Sequence, residues 1–277
     1  MADENIAADP SHDSTNPEWQ VVIVKHGTRT TTRSEAFLNY AFYEEPDGPY
    51  RIDYYFWVLR RGNQVVIVDT GFSKLEARSR GRSILVDPID ALRMLDIEPD
   101  SPHAVIITHA HYDHIGNVNT FAHSDIYISS DEWEFWTSEM ADRTLFAHFG
   151  DRSAMRDLVR IGEQSRLRLF NGPHTVAPGI EVIPLGGHTP GQAIVKVATT
   201  AGMVVLASDA MHFHEELDRD MLFQSMTDLP ASYRTLEILR AMDSSIIVSG
   251  HDAGELARHT AINGPLADLA ATIGEPC

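Results

Sequence analysis

THAHYDHIGN, residues 108–117, sets three histidines and an aspartate within six positions, directly after the apolar run AVII at 104–107. The run is short, β-branched and bounded by polar residues, so it reads as a buried strand with imidazoles loaded onto its exit. In extended or loosely turning backbone, side chains two apart project to the same side. His109, His111 and Asp113 therefore converge while His114 turns the other way. That geometry suits two neighbouring metal ions better than one. The motif supplies at most two ligands to each, and a zinc site needs three or four, so more must come from elsewhere in the chain.

Three other stretches end on suitable side chains where a strand gives way to a loop. LGGHTPG (185–191) delivers His188, VVLASD (204–209) ends on Asp209, and IIVSGHD (246–252) delivers His251. Any one of these would ordinarily be a cap or a surface residue. Together they describe ligands gathered from the ends of rigid strands, where binding chemistry is normally placed. The single cysteine is Cys277, so the ligands must be nitrogen and oxygen, and no disulfide framework is available.

Around these motifs, short β-branched or aromatic runs at 20–25, 54–59, 64–69, 104–108, 125–129, 180–184, 193–198, 203–208 and 245–249 read as strands. Residues 61–63 (RGN) and 199–202 (TTAG) read as hairpin turns. Helical patterns are expected at 88–95, 131–140, 153–169 and 230–242. Strands and helices mixed in this way imply an α/β protein with sheets covered by helices. Residues 1–19 are polar, acidic and proline-containing and read as a mobile tail, leaving residues 20–277 as one domain.

Charge excludes other roles. The formal net charge of −18 argues against a nucleic-acid surface. Its one local offset is the basic segment RSRGR at 78–82, which reads as a solvated face or a seat for an anionic substrate group. With no charged-then-apolar leader and no long apolar run, no membrane association is expected, and a cytoplasmic protein acting on a small molecule is the reading.

His109-x-His111-x-Asp113-His114 followed by His188, Asp209 and His251 resembles the metallo-β-lactamase superfamily, over residues 20–261. The resemblance implies an αββα sandwich of two mixed sheets. It also implies that His109, His111 and His188 hold one divalent metal ion, Asp113, His114 and His251 the other, and that Asp209 bridges them. Asp69, in VVIVDTG (65–71), would orient a ligand imidazole through its free N–H. The donor set favours two Zn2+.

Within the superfamily the chain is most similar to the N-acyl homoserine lactonase group, through GHTPGQ (187–192), SDA (208–210) and SGHD (249–252). That likeness implies a lactone or related cyclic ester opened by a metal-bridging hydroxide, with a homodimer suggested by the same relatives. Other small-molecule hydrolysis in this fold, of cyclic amides, thioesters or isothiocyanates, stays open, as does a mononuclear iron persulfide dioxygenase. One departure stands out. The lactonases place a tyrosine three residues after the bridging aspartate, where this chain has His212. His212 is therefore expected to touch substrate, joining Asp113 and Asp209 as a catalytic candidate. Phe135, Trp136, Phe146 and Phe149 are expected partly in the core and partly on an apolar pocket.

Overall fold

The computed structural model describes residues 18–242 and 245–274. Among these, the strands are β1 (Gln20–Thr32), β2 (Pro49–Arg61), β3 (Gln64–Val68), β4 (Ser83–Ile84), β5 (Ala104–Ile106), β6 (Asp125–Ser129) and β7 (Leu167–Phe170). They continue with β8 (His174–Ala177), β9 (Ile180–Pro184), β10 (Ala193–Thr199), β11 (Gly202–Ser208), β12 (Ile246–Ser249), β13 (Thr260–Ala261) and β14 (Ala270–Ile273). One sheet runs β13-β14-β1-β2-β3-β5-β6-β7 with β4 on β1, and the other runs β12-β11-β10-β9-β8.

The alternating side chains of the strands explain the layering. Val21 and Ile23 of β1, with Trp57 and Leu59 of β2, face inward against Val182, Val195 and Leu206 of the second sheet. Their neighbours Val22, Val24, Phe56 and Val58 face outward, under Ala91 and Leu92 of the helix Pro88–Met94 and Leu158 and Ile161 of the helix Arg152–Glu163. The second sheet covers its outer residues Ile194, Val205 and Ala207 with Leu236 and Leu239 of the helix Leu229–Arg240. Each fully buried side chain of this kind contributes about 1.5–3 kcal/mol, so both faces of both sheets hold their layers. The result is the expected αββα sandwich. No helix among the described residues is long and apolar enough to cross a membrane.

The β1–β2 register shifts between Lys25 and Gly27, a bulge after which the two strands stay paired from Gly27 opposite Tyr54 to Thr32 opposite Pro49. Gly27 is required there: a Cβ would lie 2.4 Å from the Phe72 ring.

Several expectations need correction. Trp19, assigned to the tail, is core: it is 3% exposed and its Nε1 donates to the Pro178 carbonyl at 2.8 Å. The rest of that tail, residues 1–17, lies outside the described residues, as does Cys277. The helix expected at 153–169 ends at Glu163, where Ser165 turns left-handed (φ 57) and the chain enters β7 beside β6. The helix expected at 131–140 is Ser130–Trp136 followed by a separate 3-10 turn, Glu139–Asp142. The strands β4, β7, β8, β13 and β14 were not foreseen, each being only two to four residues long.

Candidate metal centre

The motif residues gather at the ends of four strands. β5 leads into Thr108–His111, β11 ends beside Asp209, β12 leads to His251, and the β9–β10 connection carries His188. Close packing brings these exits together. A Cβ on Gly116, just past the histidine motif, would lie 2.8 Å from the Gly71 carbonyl and 2.6 Å from Ser73 N, so only glycine lets the β3 and β5 exits touch.

Two residues at these exits are held in left-handed backbone, Asp69 (φ 62) and Ser208 (φ 47), a conformation that costs of order 1–3 kcal/mol for a residue with a side chain. Hydrogen bonds hold them there. Thr108 donates from its N–H to Asp69 Oδ1 and from its hydroxyl to Asp69 Oδ2, both at 2.8 Å, and its hydroxyl lies 2.9 Å from that of Ser208. The His114 Nδ1–H then donates to Asp69 Oδ2 at 2.8 Å. Asp69 thus has the orienting geometry expected of it, turning His114 Nε2 inward.

Two groups of potential ligands form, His109, His111, His188 and Asp209 in one, and Asp113, His114 and His251 in the other. Asp209 joins them. Its Oδ2 lies 3.3 Å from His188 Nε2 and 3.6 Å from His109 Nε2, while its Oδ1 lies 3.1 Å from His251 Nε2 and 3.3 Å from His114 Nε2. Asp113 Oδ2 is 3.7 Å from His251 Nε2 and 3.8 Å from His114 Nε2.

The side chains fit cations. His109 Nε2 and His114 Nε2 are buried with no hydrogen-bond partner, and His188 Nε2 faces His111 Nδ1 at 2.9 Å. Unmatched buried nitrogens aimed at one carboxylate are what a metal ion would satisfy. Burial pushes the imidazole of His111 down to about 3 and those of His109 and His188 well below the usual range, so all three present neutral nitrogen, the ligating form. Burial opposes the Asp209 carboxylate, but the surrounding histidines outweigh it and hold it well below the usual range, hence ionised.

His212 is not a wall residue. It is fully buried, with Nε2 3.1 Å from Asp209 Oδ2 and Nδ1 3.5 Å from Glu216 Oε2, and Phe223, stacked on it at 3.9 Å, reaches the cleft in its place. In place of the expected wall position, the ring lies between Phe223 and the Asp209 carboxylate. Burial resists its charge, but Asp209 and Glu216 push its pKa up to about 9.

The centre opens into a cleft whose walls include Arg29, Tyr54, Arg82, His148 and Phe223. A neighbouring cavity, again reaching His111 and Phe149, is lined by Phe135, Trp136 and Phe146, as the aromatic content of that segment suggested.

Three buried carboxylates that frame the site escaped notice in the sequence. Glu132 accepts from Ala110 N–H, Trp136 Nε1, Thr189 Oγ1 and Gly191 N–H, tying both histidine loops to one helix. The spacing Ser129-x-x-Glu132, a capping signature, was its only local signal. Glu216 takes the N–H groups of Phe213 and Phe223, each at 2.9 Å. Glu255 accepts from Ser249 N–H at 2.8 Å and pairs with His214 at 2.7 Å and His259 at 2.9 Å, bracing the loop that carries His251.

Burial pushes the Glu255 carboxyl up, but these partners prevail and bring it to about 2. A depressed carboxyl stabilises the fold above the unfolded value of about 4.5, and that stability is lost as pH falls toward the folded value. Glu255→Gln is therefore expected to cost about 3 kcal/mol at neutral pH and to flatten the stability profile between about pH 4.5 and 2. Urea unfolding across that range checks it, and parallel profiles for the two proteins would refute it.

The sandwich and its metal-ligand exits place this chain in the metallo-beta-lactamase superfamily, to whose family model residues 52–251 match. The chain belongs to that family. It is 24% identical over 169 residues to N-acyl homoserine lactonase AiiA of Bacillus thuringiensis subsp. kurstaki, a match covering 59% of this chain and 61% of the lactonase. It is 30% identical over 189 residues to human metallo-beta-lactamase domain-containing protein 1, covering 64% and 60% of the two chains. Among solved structures, a quorum-quenching N-acyl homoserine lactone lactonase superposes with a TM-score of 0.71 at 19% identity, covering 84% of this chain and 92% of that one. AidC, a dizinc quorum-quenching lactonase, gives 0.66 at 19%, covering 94% and 95%.

Proposed function

We propose that this protein is a dinuclear metal-dependent hydrolase that opens a lactone or related cyclic ester. The observation that carries the reading is Asp209, whose carboxylate stands between the two groups of histidines, with His188 and His109 at Oδ2, His114 at Oδ1 and His251 near both oxygens. The likeness to proteins named as lactonases supports the substrate class. Two divalent ions, zinc by the nitrogen-rich donor set, would supply an acidified water and polarise the ester carbonyl.

The chain's own residues prepare that chemistry. His109, His111 and His188 present neutral nitrogens, and Asp69 fixes the ring of His114. The Asp53 carbonyl fixes His251 by accepting from its Nδ1 at 2.8 Å. His212 Nε2, 3.1 Å from Asp209 Oδ2, helps to hold that carboxylate in place. In the overall reaction the water oxygen joins the acyl carbon, the acyl–oxygen bond breaks, and the ring oxygen leaves as an alcohol carrying one proton of the water. The other proton is released from the new carboxylic acid.

The test is elemental analysis of the purified protein, together with proton release from a panel of lactones, cyclic imides and thioesters. Two zinc ions per chain with lactone opening is the expected result. One iron per chain with oxygen consumption, or thioester cleavage without lactone opening, would overturn it.

A further inference from the structure

The basic segment at 78–82 was the one local offset to a net charge of −18, and two of its three arginines, Arg80 and Arg82, line the cleft at the metal centre. Arg80 is already committed: its Nε pairs with Glu76 at 2.6 Å and Nη2 donates to the Gly150 carbonyl at 3.0 Å. Arg82 is only partly committed. Its Nε donates to the Tyr112 hydroxyl at 3.1 Å and Nη1 to the Arg80 carbonyl at 2.7 Å, and no carboxylate pairs with it among the described residues.

Arg29, on β1 past the bulge, has no side-chain hydrogen-bond or ion-pair partner among the described residues. Its Nε is buried without a hydrogen-bond partner, and its guanidinium makes no ion pair with any described residue. Both arginines line the cleft that also exposes Asp113, Asp209 and His251. Burial pushes the Tyr54 hydroxyl up while Arg29 and Arg82 pull it down, so both cations lie within electrostatic reach of that one wall residue. A buried, unmatched guanidinium donor is costly to keep, and its fork matches a carboxylate.

We propose that the substrate carries a carboxylate beside its scissile ester and that Arg29 and Arg82 receive it on the cleft wall. The claim rests on the hydrolase reading above and narrows it. A neutral acyl lactone leaves both arginines unmatched, whereas a lactone acid fills them and yields a hydroxy diacid on ring opening. The bulge between Lys25 and Gly27 lies just before Arg29, which lines the cleft.

Two matched γ-lactones test it on the metal-loaded protein, one bearing a ring carboxylate and the other the corresponding neutral carboxamide. Calorimetric titration with the ring-opened product of each reads binding apart from turnover. The parent should favour the diacid, and Arg29→Met should cut that preference by about 10–100-fold. Arg29→Lys should restore part of it. Where turnover is measured, the loss for the carboxylated lactone should fall on KM more than on kcat.

Equal affinity of the parent for both products, or a preference untouched by Arg29→Met, overturns the proposal and leaves the hydrolase reading standing. If neither lactone is opened but the Arg29-dependent preference persists, the hydrolase reading falls and the anion site stands. Because Arg29 has no partner to lose, thermal unfolding of the methionine variant should match the parent.

Discussion

Replacing Asp209 with asparagine is expected to lower hydrolysis by at least about 10²–10³-fold, the loss seen when one group stabilising a reaction's charge is removed. The substitution is nearly isosteric, yet it turns one of two acceptor oxygens into an amide that cannot face a cation. Asp209 is flanked on Oδ2 by His188 and His109 and on Oδ1 by His114, with His251 near both oxygens, so either amide orientation takes a carboxylate oxygen away from some of these histidines. Metal content should therefore fall below the parent's. The far-ultraviolet circular dichroism should be preserved, because Asp209 lies past the end of β11 and contributes nothing to the inward faces of the sheets. An asparagine variant that kept both activity and full metal content would remove the bridge from this account.

The convergence of Asp209 with the other six candidate ligands was readable in the sequence, because each sits within a few residues of a strand exit marked by an apolar run. The αββα layering was readable for a similar reason. Strands buried on both faces, such as VVIV at 65–68 and VVLA at 204–207, are continuously apolar and leave little doubt about their depth. What stayed hidden depends on long-range pairing. β13 and β14 close the edge of the large sheet beside β1, and their segments are too short to carry a period of their own. β7 was absorbed into the helix before it because its exposed Arg168 and Leu169 break the alternation, and only pairing with β6 makes it a strand. His212 shows the same limit at the site. Its position after Asp209 was plain, but whether the ring faced the cleft depended on Phe223, which comes eleven residues later and covers it. Arg29 and Arg82 share one cleft through a long-range pairing, β4 returning to β1 with Gly27 opposite Ile84.

Glu132 is the clearest case of a site residue fixed by tertiary contacts, and its removal should be the most damaging to the fold around the metals. The carboxylate is fully buried and pairs with no cation among the described residues; burial pushes its pKa up, and the donors around it pull the other way. Oε1 takes Ala110 N–H at 2.8 Å and Trp136 Nε1 at 2.7 Å, and Oε2 takes Thr189 Oγ1 at 2.6 Å and Gly191 N–H at 3.0 Å. Ala110 lies between the ligands His109 and His111, and Thr189 directly follows the ligand His188, so one side chain sets the spacing of both loops. Glu132→Ala strands four buried donors, each costing about 1–3 kcal/mol, so a loss of at least about 4 kcal/mol is expected. For a domain of this size that corresponds to a fall in Tm of about 8–16 °C. Affinity for metal at the His109, His111 and His188 site should drop by about 10–100-fold, the range for groups that orient ligands without touching the ion. Glu132→Gln keeps the shape and one acceptor oxygen, so its losses should be smaller in both measurements. Thermal unfolding and metal titration of the two variants check the argument. An alanine variant melting within a degree or two of the parent would show that water or a shifted loop satisfies the stranded donors, and that the two histidine loops hold their spacing without Glu132.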